Sequence, residues 1–295
     1  MRYEGVVYRP PSEAGSLIVQ ATLACPHNKC AFCGMYKGRT FHVRPLSEIV
    51  EDLDRAVAMY GPDGVQTIFL ADGNTAVLPT EKLVAIGAAA SARFRQLRRI
   101  TMYGSAKFLV KKSLEDWRQV AAAGITRIHS GLESGDAATL LALNKGVTPD
   151  EAIAAYRHVM RAGIELSVYL MIGVAGAAHS RAHAEGSAAV LNAAPPTFVR
   201  LRTFIPSPDT PWHDRWRDGE LTLLSAYEAL RETRQLIEHL DGPTMLLSDH
   251  VSNFLDVRGR LPEDRAAMLA EIDDALQWPL KTFRPPTERL VGFGL

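Results

Sequence analysis

The chain has 295 residues, and its 33 lysines plus arginines balance 33 aspartates plus glutamates, so the formal net charge is zero. That balance excludes a protein held to nucleic acid mainly by bulk charge, although a local basic groove is compatible with it. With 47% apolar and 22% charged residues, disordered and fibrous classes are excluded too, and a chain this long can bury roughly 75% of its unfolded surface.

The first fifteen residues carry Arg2, Glu4, Arg9 and Glu13 and lack the apolar stretch of an export signal. Residues 1–16 read as an N-terminal segment. From there short β-like runs alternate with amphipathic stretches. Strands are expected at Leu17–Thr22, Thr67–Leu70, Arg99–Tyr103, Arg127–Ser130, Leu166–Met171 and Phe198–Arg202. Helices are expected between them, at Ser47–Tyr60, Thr80–Phe94, Ser113–Ala123, Pro149–Ala162 and Arg181–Leu191. Ser47 and Ser113 stand as N-terminal caps, Thr148-Pro149 places proline at the first helical position, and Gly61, Gly124 and Gly163 follow the helix ends. The βα order implies a parallel sheet with right-handed crossovers, either an open doubly wound sheet or a partial barrel. No Gly-x-Gly-x-x-Gly turn follows the first strand, so a dinucleotide site is not supported. The longest apolar stretch, Tyr169–Ala178, is too short to cross a bilayer as a helix. The expectation is a soluble, cytoplasmic protein with no membrane partner. Beyond residue 212 the period changes. Two helical stretches, Leu224–Leu240 and Pro262–Leu276, flank a polar loop, and residues 213–295 read as a helical extension.

The three cysteines, Cys25, Cys30 and Cys33, all lie within nine residues directly after the first strand. An odd, crowded set does not make a disulfide framework. Three thiolates converging on one point suit a soft metal centre. In parallel α/β folds chemistry sits at the C-terminal ends of the strands, which is where this loop falls. Three cysteines leave one iron of a cubane cluster open to a ligand from outside the protein. Zinc, with His27 or His42 as a fourth ligand, is the other reading of the same thiols, and would make the chain a non-catalytic zinc or iron–sulfur binding module.

This loop resembles that of the radical S-adenosylmethionine (radical SAM) superfamily, whose cysteines are commonly spaced Cys-x3-Cys-x2-Cys after the first strand of a partial (βα)6 TIM-like barrel. Cys30-Ala31-Phe32-Cys33 keeps the second interval, and Phe32 holds the aromatic position before the third cysteine. The first interval, Cys25 to Cys30, is one residue longer, which a loop absorbs at little entropic cost. Further turns resemble the family across about residues 17–212. Asp72-Gly73-Asn74 stands where members often have Gly-Gly-Glu, so either Asp72 or Asn74 would receive the ammonium of SAM. Tyr103-Gly104-Ser105-Ala106 ends the third strand. Ser130-Gly131-Leu132-Glu133-Ser134-Gly135, Leu143-Asn144-Lys145-Gly146 and Pro206-Ser207-Pro208-Asp209-Thr210-Pro211 are similar to turns of the branch that includes anaerobic coproporphyrinogen oxidase and the Elp/Mia-type tRNA enzymes. In that branch the glutamate reaches the SAM ribose. Ile172-Gly173-Val174-Ala175-Gly176 lacks the Pro and Glu often found there.

The resemblance implies a barrel over 17–212 holding a [4Fe–4S] cluster on Cys25, Cys30 and Cys33. The SAM pocket would include Phe32, Asp72, Gly73, Asn74, Ser105, Glu133 and Ser134. The cluster reductively cleaves SAM to methionine and a 5′-deoxyadenosyl radical, which takes a hydrogen atom from a small-molecule substrate. An external donor of the flavodoxin or ferredoxin type supplies the electron; nucleic acid is not the expected partner. Arg200 and Arg202 alternate on the sixth strand and share a face. If that face is inward they need anions, and the SAM carboxylate (for Arg202) or an acidic substrate would serve. Lys145 is either solvated or a substrate contact. The polar run Ser248–Phe254 is either a plain loop or part of a substrate pocket through Asp249, His250 and Asn253. Since one cluster uses every cysteine, no thiol remains for a second cluster.

Overall fold

The protein is described here by a computed structural model covering residues 1–283; the end of the expected 213–295 extension therefore lies outside the described residues. The fold is α/β, with a mostly parallel sheet of eight strands. Its contacts group into two compact units. One comprises residues 1–28, 35–130 and 155–166, and the other residues 29–34, 131–154 and 167 onward.

In the first unit, β1 (Leu17–Gln20) runs on through a turn into β2 (Thr22–Leu23), which pairs antiparallel with β3 (His42–Val43). The residues between β2 and β3 carry the cysteines. Helix α1 (Leu46–Tyr60) buries Ile49, Leu53 and Ala56 on one stripe and stops at Gly61, whose φ is +74°. Next come β4 (Thr67–Ala71), α2 (Thr80–Ser91), β5 (Arg99–Tyr103), the short α3 (Ala106–Leu109), α4 (Leu114–Ala122) and, as far as Ser130, β6 (Ile125–Glu133). Strands β1, β4, β5 and β6 are parallel neighbours in that order. Helix α4 opens with a capping box in which Ser113 and Asp116 satisfy each other's backbone donors, and it buries Trp117 and Val120. At the start of β5 and β6, buried Glu13 accepts from Ser16 and lies 3.2 Å from His129, near Arg99 and Arg127. Burial alone would raise its pKa, but the His129 and Ser16 hydrogen bonds hold it at about 2.

The second unit takes in α5 (Ala137–Ala142), the first half of α6 (Pro149–Arg161), and β7 (Glu165–Ile172) from Ser167 on. Helix α7 (Ser180–Ala193), β8 (Phe198–Thr203), α8 (Pro211–Arg217), α9 (Ala226–His239), β9 (Thr244–Leu247), β10 (Arg258–Leu261) and α10 (Arg265–Ala275) complete it. Strand β7 pairs parallel with β8 from Ser167↔Phe198 to Ile172↔Thr203, β8 pairs parallel with β9, and β10 returns antiparallel. Strict alternation governs these strands. Val168, Leu170, Val199, Leu201 and Leu246 are fully buried on one face, while Tyr169, Met171, Arg200 and Arg202 take the other.

The six expected strands and five expected barrel helices all form, with ends shifted by a few residues. The extension differs from its sequence reading: β9 and β10 occupy the stretch expected to be a loop between two helices. Each is four residues long, and Arg258-Gly259-Arg260-Leu261 alternates exposed and buried positions for only two periods. That is too short for periodicity to separate a strand from a loop.

Candidate active site

All three cysteines are free thiols and partly exposed, so no disulfide competes for them. Among the described residues no three His, Cys, Asp or Glu side chains converge as the ligand set of a single ion. Each unit contributes a set of expected site residues, and each set has its own geometry.

In the first unit, Cys25 follows Ala24, whose φ is +62°, and β4 ends at Asp72, whose φ is +77°. Such left-handed backbone in non-glycine residues is uncommon and persists where surrounding bonds hold it. Here the bonds are Ala24 N–H to Asp72 Oδ2 at 3.1 Å, Gln20 Nε2–H to the same oxygen at 3.2 Å, and Gly73 N–H to the Ala24 carbonyl at 3.2 Å. The two turns are thereby laced together. Gly73 has to be glycine, because a Cβ there would lie 2.7 Å from Cys25 Cβ and 2.9 Å from the Tyr36 ring.

Asp72 and Asn74 are both almost fully buried. Asp72 spends Oδ2 on the two donors just named, and its Oδ1 is buried without a hydrogen-bond partner. Asn74 Oδ1 accepts from the Ser105 N–H at 3.2 Å, which leaves its Nδ2 donor buried and without a partner. The unused atoms are thus one acceptor and one donor. Burial raises Asp72 to about 6, against the lowering pull of Gln20 and the Ala24 N–H. Of the expected residues here, Ser105 offers its backbone to Asn74 and opens α3. His27, considered above as a zinc ligand, has Lys107 Nζ at 2.9 Å from its Nδ1.

In the second unit, Ala31 and Phe32 pack with Leu143, Val174, Phe204, Trp212 and Leu221, and Cys30 and Cys33 lie against this cluster. The backbone pins the loop there: Ala31 N–H donates to the Leu143 carbonyl at 2.9 Å, and Trp212 N–H donates to the Ala31 carbonyl at 3.0 Å. Above Phe32, Lys145 Nζ stands 5.5 Å from the ring centroid and 3.0 Å from Glu133 Oε1. Burial alone would lower the Lys145 pKa, but the Glu133 carboxylate and the nearby Cys30 and Cys33 hold it above the ordinary lysine value. Lys145 is therefore a buried partner of Glu133 and not a solvated surface lysine. Glu133 has φ +67° and folds its carboxylate back over Gly131, where a Cβ would collide with Oε1.

Ser134, the next residue, belongs to a buried group that sequence reading missed. Its Oγ lies 2.8 Å from His183 Nδ1, and His183 Nε2 is 3.5 Å from Glu232 Oε1. Glu232 accepts from the Gly173 N–H at 2.7 Å and from the Ser180 hydroxyl, so it fixes the turn after β7. Burial raises Glu232 to about 7 and lowers His183 to about 4. Both are neutral in the slightly acidic range, and neither of two buried charges has to be desolvated. A raised folded-state pKa contributes stability below the unfolded value that is lost as pH rises through the folded one. For Glu232 that loss runs from about pH 4.5 to about pH 7. Above about pH 6.5, His183 is neutral folded or unfolded and adds nothing. We expect the melting temperature to fall from pH 6 to pH 7.5 and then level off, and Glu232→Gln to flatten that part of the profile relative to the parent chain. Equal slopes in the two proteins, by calorimetry across that range, would show that Glu232 is ionised in the fold throughout.

Asp249, His250 and Asn253 fall between β9 and β10 in the same unit. Asn253 Nδ2–H donates to the Leu201 and Ser248 carbonyls at 2.9 and 3.0 Å, and its Oδ1 accepts from Thr203 Oγ1 at 3.1 Å. Ser252 Oγ accepts from the Thr203 N–H at 3.1 Å. The polar run is thus tied to the C-terminal end of β8, with Arg200 and Arg202 beside it.

A family profile described as the Radical SAM superfamily matches residues 19–180. No curated protein sequence matches the chain. Solved structures similar in fold include methylornithine synthase (PylB), with TM-score 0.54 and 15% identity over 87% of this chain and 68% of that one. Coproporphyrinogen III oxidase (HemN) from Escherichia coli gives 0.57 and 16% over 76% and 52%. An N-terminally truncated Elp3 from Methanocaldococcus infernus gives 0.51 and 15% over 78% and 58%. The chain spans between about a third and two thirds of the length of such structures, and at these identities the likeness is one of fold, the partial TIM barrel. Among the described residues no helix is long and apolar enough to cross a membrane. The three-cysteine loop follows the first strand of that fold, and the profile covers more than half of the sequence: the chain belongs to the radical SAM superfamily of enzymes, which work with a [4Fe–4S] cluster and S-adenosylmethionine and need a reductant.

Proposed function

We propose that Cys25, Cys30 and Cys33 hold one [4Fe–4S] cluster, and that the chain binds SAM through Phe32, the Asp72-Gly73-Asn74 turn, Ser105, Glu133 and Ser134 to act on a small-molecule substrate. When bound, the cluster and SAM supply a 5′-deoxyadenosyl radical that removes a hydrogen atom from that substrate, with the electron coming from an external flavodoxin or ferredoxin type donor. The observation that carries this reading is the pair of buried, unused polar atoms in the turn that packs on Cys25. Burying a polar atom without a partner is costly, and such a cost is explicable where a ligand supplies the partner.

The two atoms also divide the labour. Asp72 Oδ1 can only accept, so Asp72 takes the SAM ammonium. Asn74 has its oxygen committed to Ser105, so its Nδ2–H donates to a SAM oxygen. The sequence left this choice open. Cys30 and Cys33 lie against the cluster that contains Phe32, and the Lys145 cation over that ring is placed to interact favourably with both sulfurs.

Asp72→Asn is the test, because asparagine keeps an oxygen for Gln20 and the Ala24 N–H and so preserves the turn. After anaerobic reconstitution the variant should keep its iron and bind SAM at least tenfold more weakly in equilibrium dialysis, since losing a charge-assisted hydrogen bond costs about 1.5–3 kcal/mol. Unchanged SAM affinity with intact iron would remove Asp72 from the pocket.

A further inference from the structure

Arg200 and Arg202 share the face of β8 opposite fully buried Val199 and Leu201. On that face the Arg202 guanidinium lies 5.1 Å from the Tyr169 ring centroid, and that of Arg200 lies 5.9 Å from the Phe198 ring. Arg200 has an anionic partner, Asp249, at 3.6 Å. Among the described residues Arg202 makes no ion pair, and the Nε atoms of both arginines are buried without hydrogen-bond partners.

His250 adds a donor and no charge. Burial, together with the Arg202 cation, lowers it to about 4. Its Nδ1 accepts from the Ser252 N–H at 3.2 Å, which assigns the proton of the neutral ring to Nε2. The face therefore carries two guanidiniums against one carboxylate, a surplus of one positive charge. Arg202 is partly buried with its Nε unpaired, so an anion that satisfies it would be bound favourably. The ties of Ser252 and Asn253 to Thr203 and Leu201 keep this arrangement fixed.

We infer that Arg202, flanked by Arg200 and the His250 Nε2–H, binds one carboxylate group of the substrate. The inference rests on the enzymatic reading above and takes the second of the two anions considered for this face, an acidic substrate instead of the SAM carboxylate. A surplus of one charge fits a monoanion and not a phosphate dianion, and the Tyr169 and Phe198 rings give the anion an apolar, aromatic surround.

The test uses the reconstituted full chain and three probes of similar shape: benzoate, neutral benzamide and dianionic phenyl phosphate, titrated by saturation-transfer NMR. Benzoate should bind saturably, benzamide at least tenfold more weakly, and phenyl phosphate no better than benzoate. Arg202→Gln should weaken benzoate at least tenfold while iron content and SAM affinity hold. A second measurement needs no ligand: Arg202→Met removes an unpaired charge and should raise the melting temperature by about 2 °C. A purely structural Arg202 would lower it. Equal binding of benzoate and benzamide, benzoate binding untouched by Arg202→Gln, tighter phenyl phosphate, or a lower melting temperature in Arg202→Met would each overturn the inference. So would loss of SAM binding in Arg202→Gln, which would assign the guanidinium to the cofactor. A parent chain that binds benzoate through Arg202 but takes up neither iron nor SAM would refute the enzymatic reading and leave the carboxylate site standing.

Discussion

Cys30→Ala should take up little or no iron on anaerobic reconstitution, against about four irons in the parent chain. The chain has three cysteines and no fourth to substitute, and a cubane cannot be held by two thiolates and two open irons with comparable affinity. The fold should survive, because the loop is pinned by backbone bonds from Ala31 to Leu143 and from Trp212 to Ala31 that do not involve the thiol. The variant should therefore melt close to the iron-free parent while remaining colourless. A brown Cys30→Ala protein with its full iron content would break the three-cysteine assignment.

Glu133→Gln should cost about 3–5 kcal/mol of stability, the range seen when one partner of a buried ion pair is removed. Lys145 Nζ is 3.0 Å from Glu133 Oε1, with both side chains largely buried. Glutamine leaves the ammonium over Phe32 without its anion. The double variant Glu133→Gln, Lys145→Met should recover most of the loss, since both charges are then gone and a side chain of similar length still covers Phe32. Denaturant unfolding of the four proteins forms a double-mutant cycle. Additive effects would show that the pair is not coupled and that Lys145 finds another anion.

Much of this fold was legible in the sequence because local signals agreed with one another. Apolar periodicity, the serine cap and glycine after the helix all mark α4 independently, and Trp117 and Val120 are buried as that pattern requires. The short pairs β2–β3 and β9–β10 escaped because two to four residues carry too little periodicity, and their partners are set by tertiary contacts. The cysteine loop stood out by spacing. The hydrogen-bond states of Asp72 and Asn74 did not, because they depend on which atoms are already used, by Gln20 and Ala24 for one and Ser105 for the other. The Glu232–His183–Ser134 group joins residues 49 or more positions apart and has no local signature. That Val199 and Leu201 fill one face of β8, with Arg200 and Arg202 only partly buried on the other, likewise shows only in the fold.

The proposed single cluster on three thiolates leaves one iron for SAM. Mössbauer spectroscopy of the 57Fe-reconstituted chain, with iron counted per chain and spectra taken before and after adding SAM, tests it most directly. About four irons in one [4Fe–4S] cluster are expected, with one iron site changing its parameters when SAM binds. Stoichiometric zinc without iron, about eight irons in two protein-bound clusters, or a spectrum that SAM leaves unchanged would contradict it.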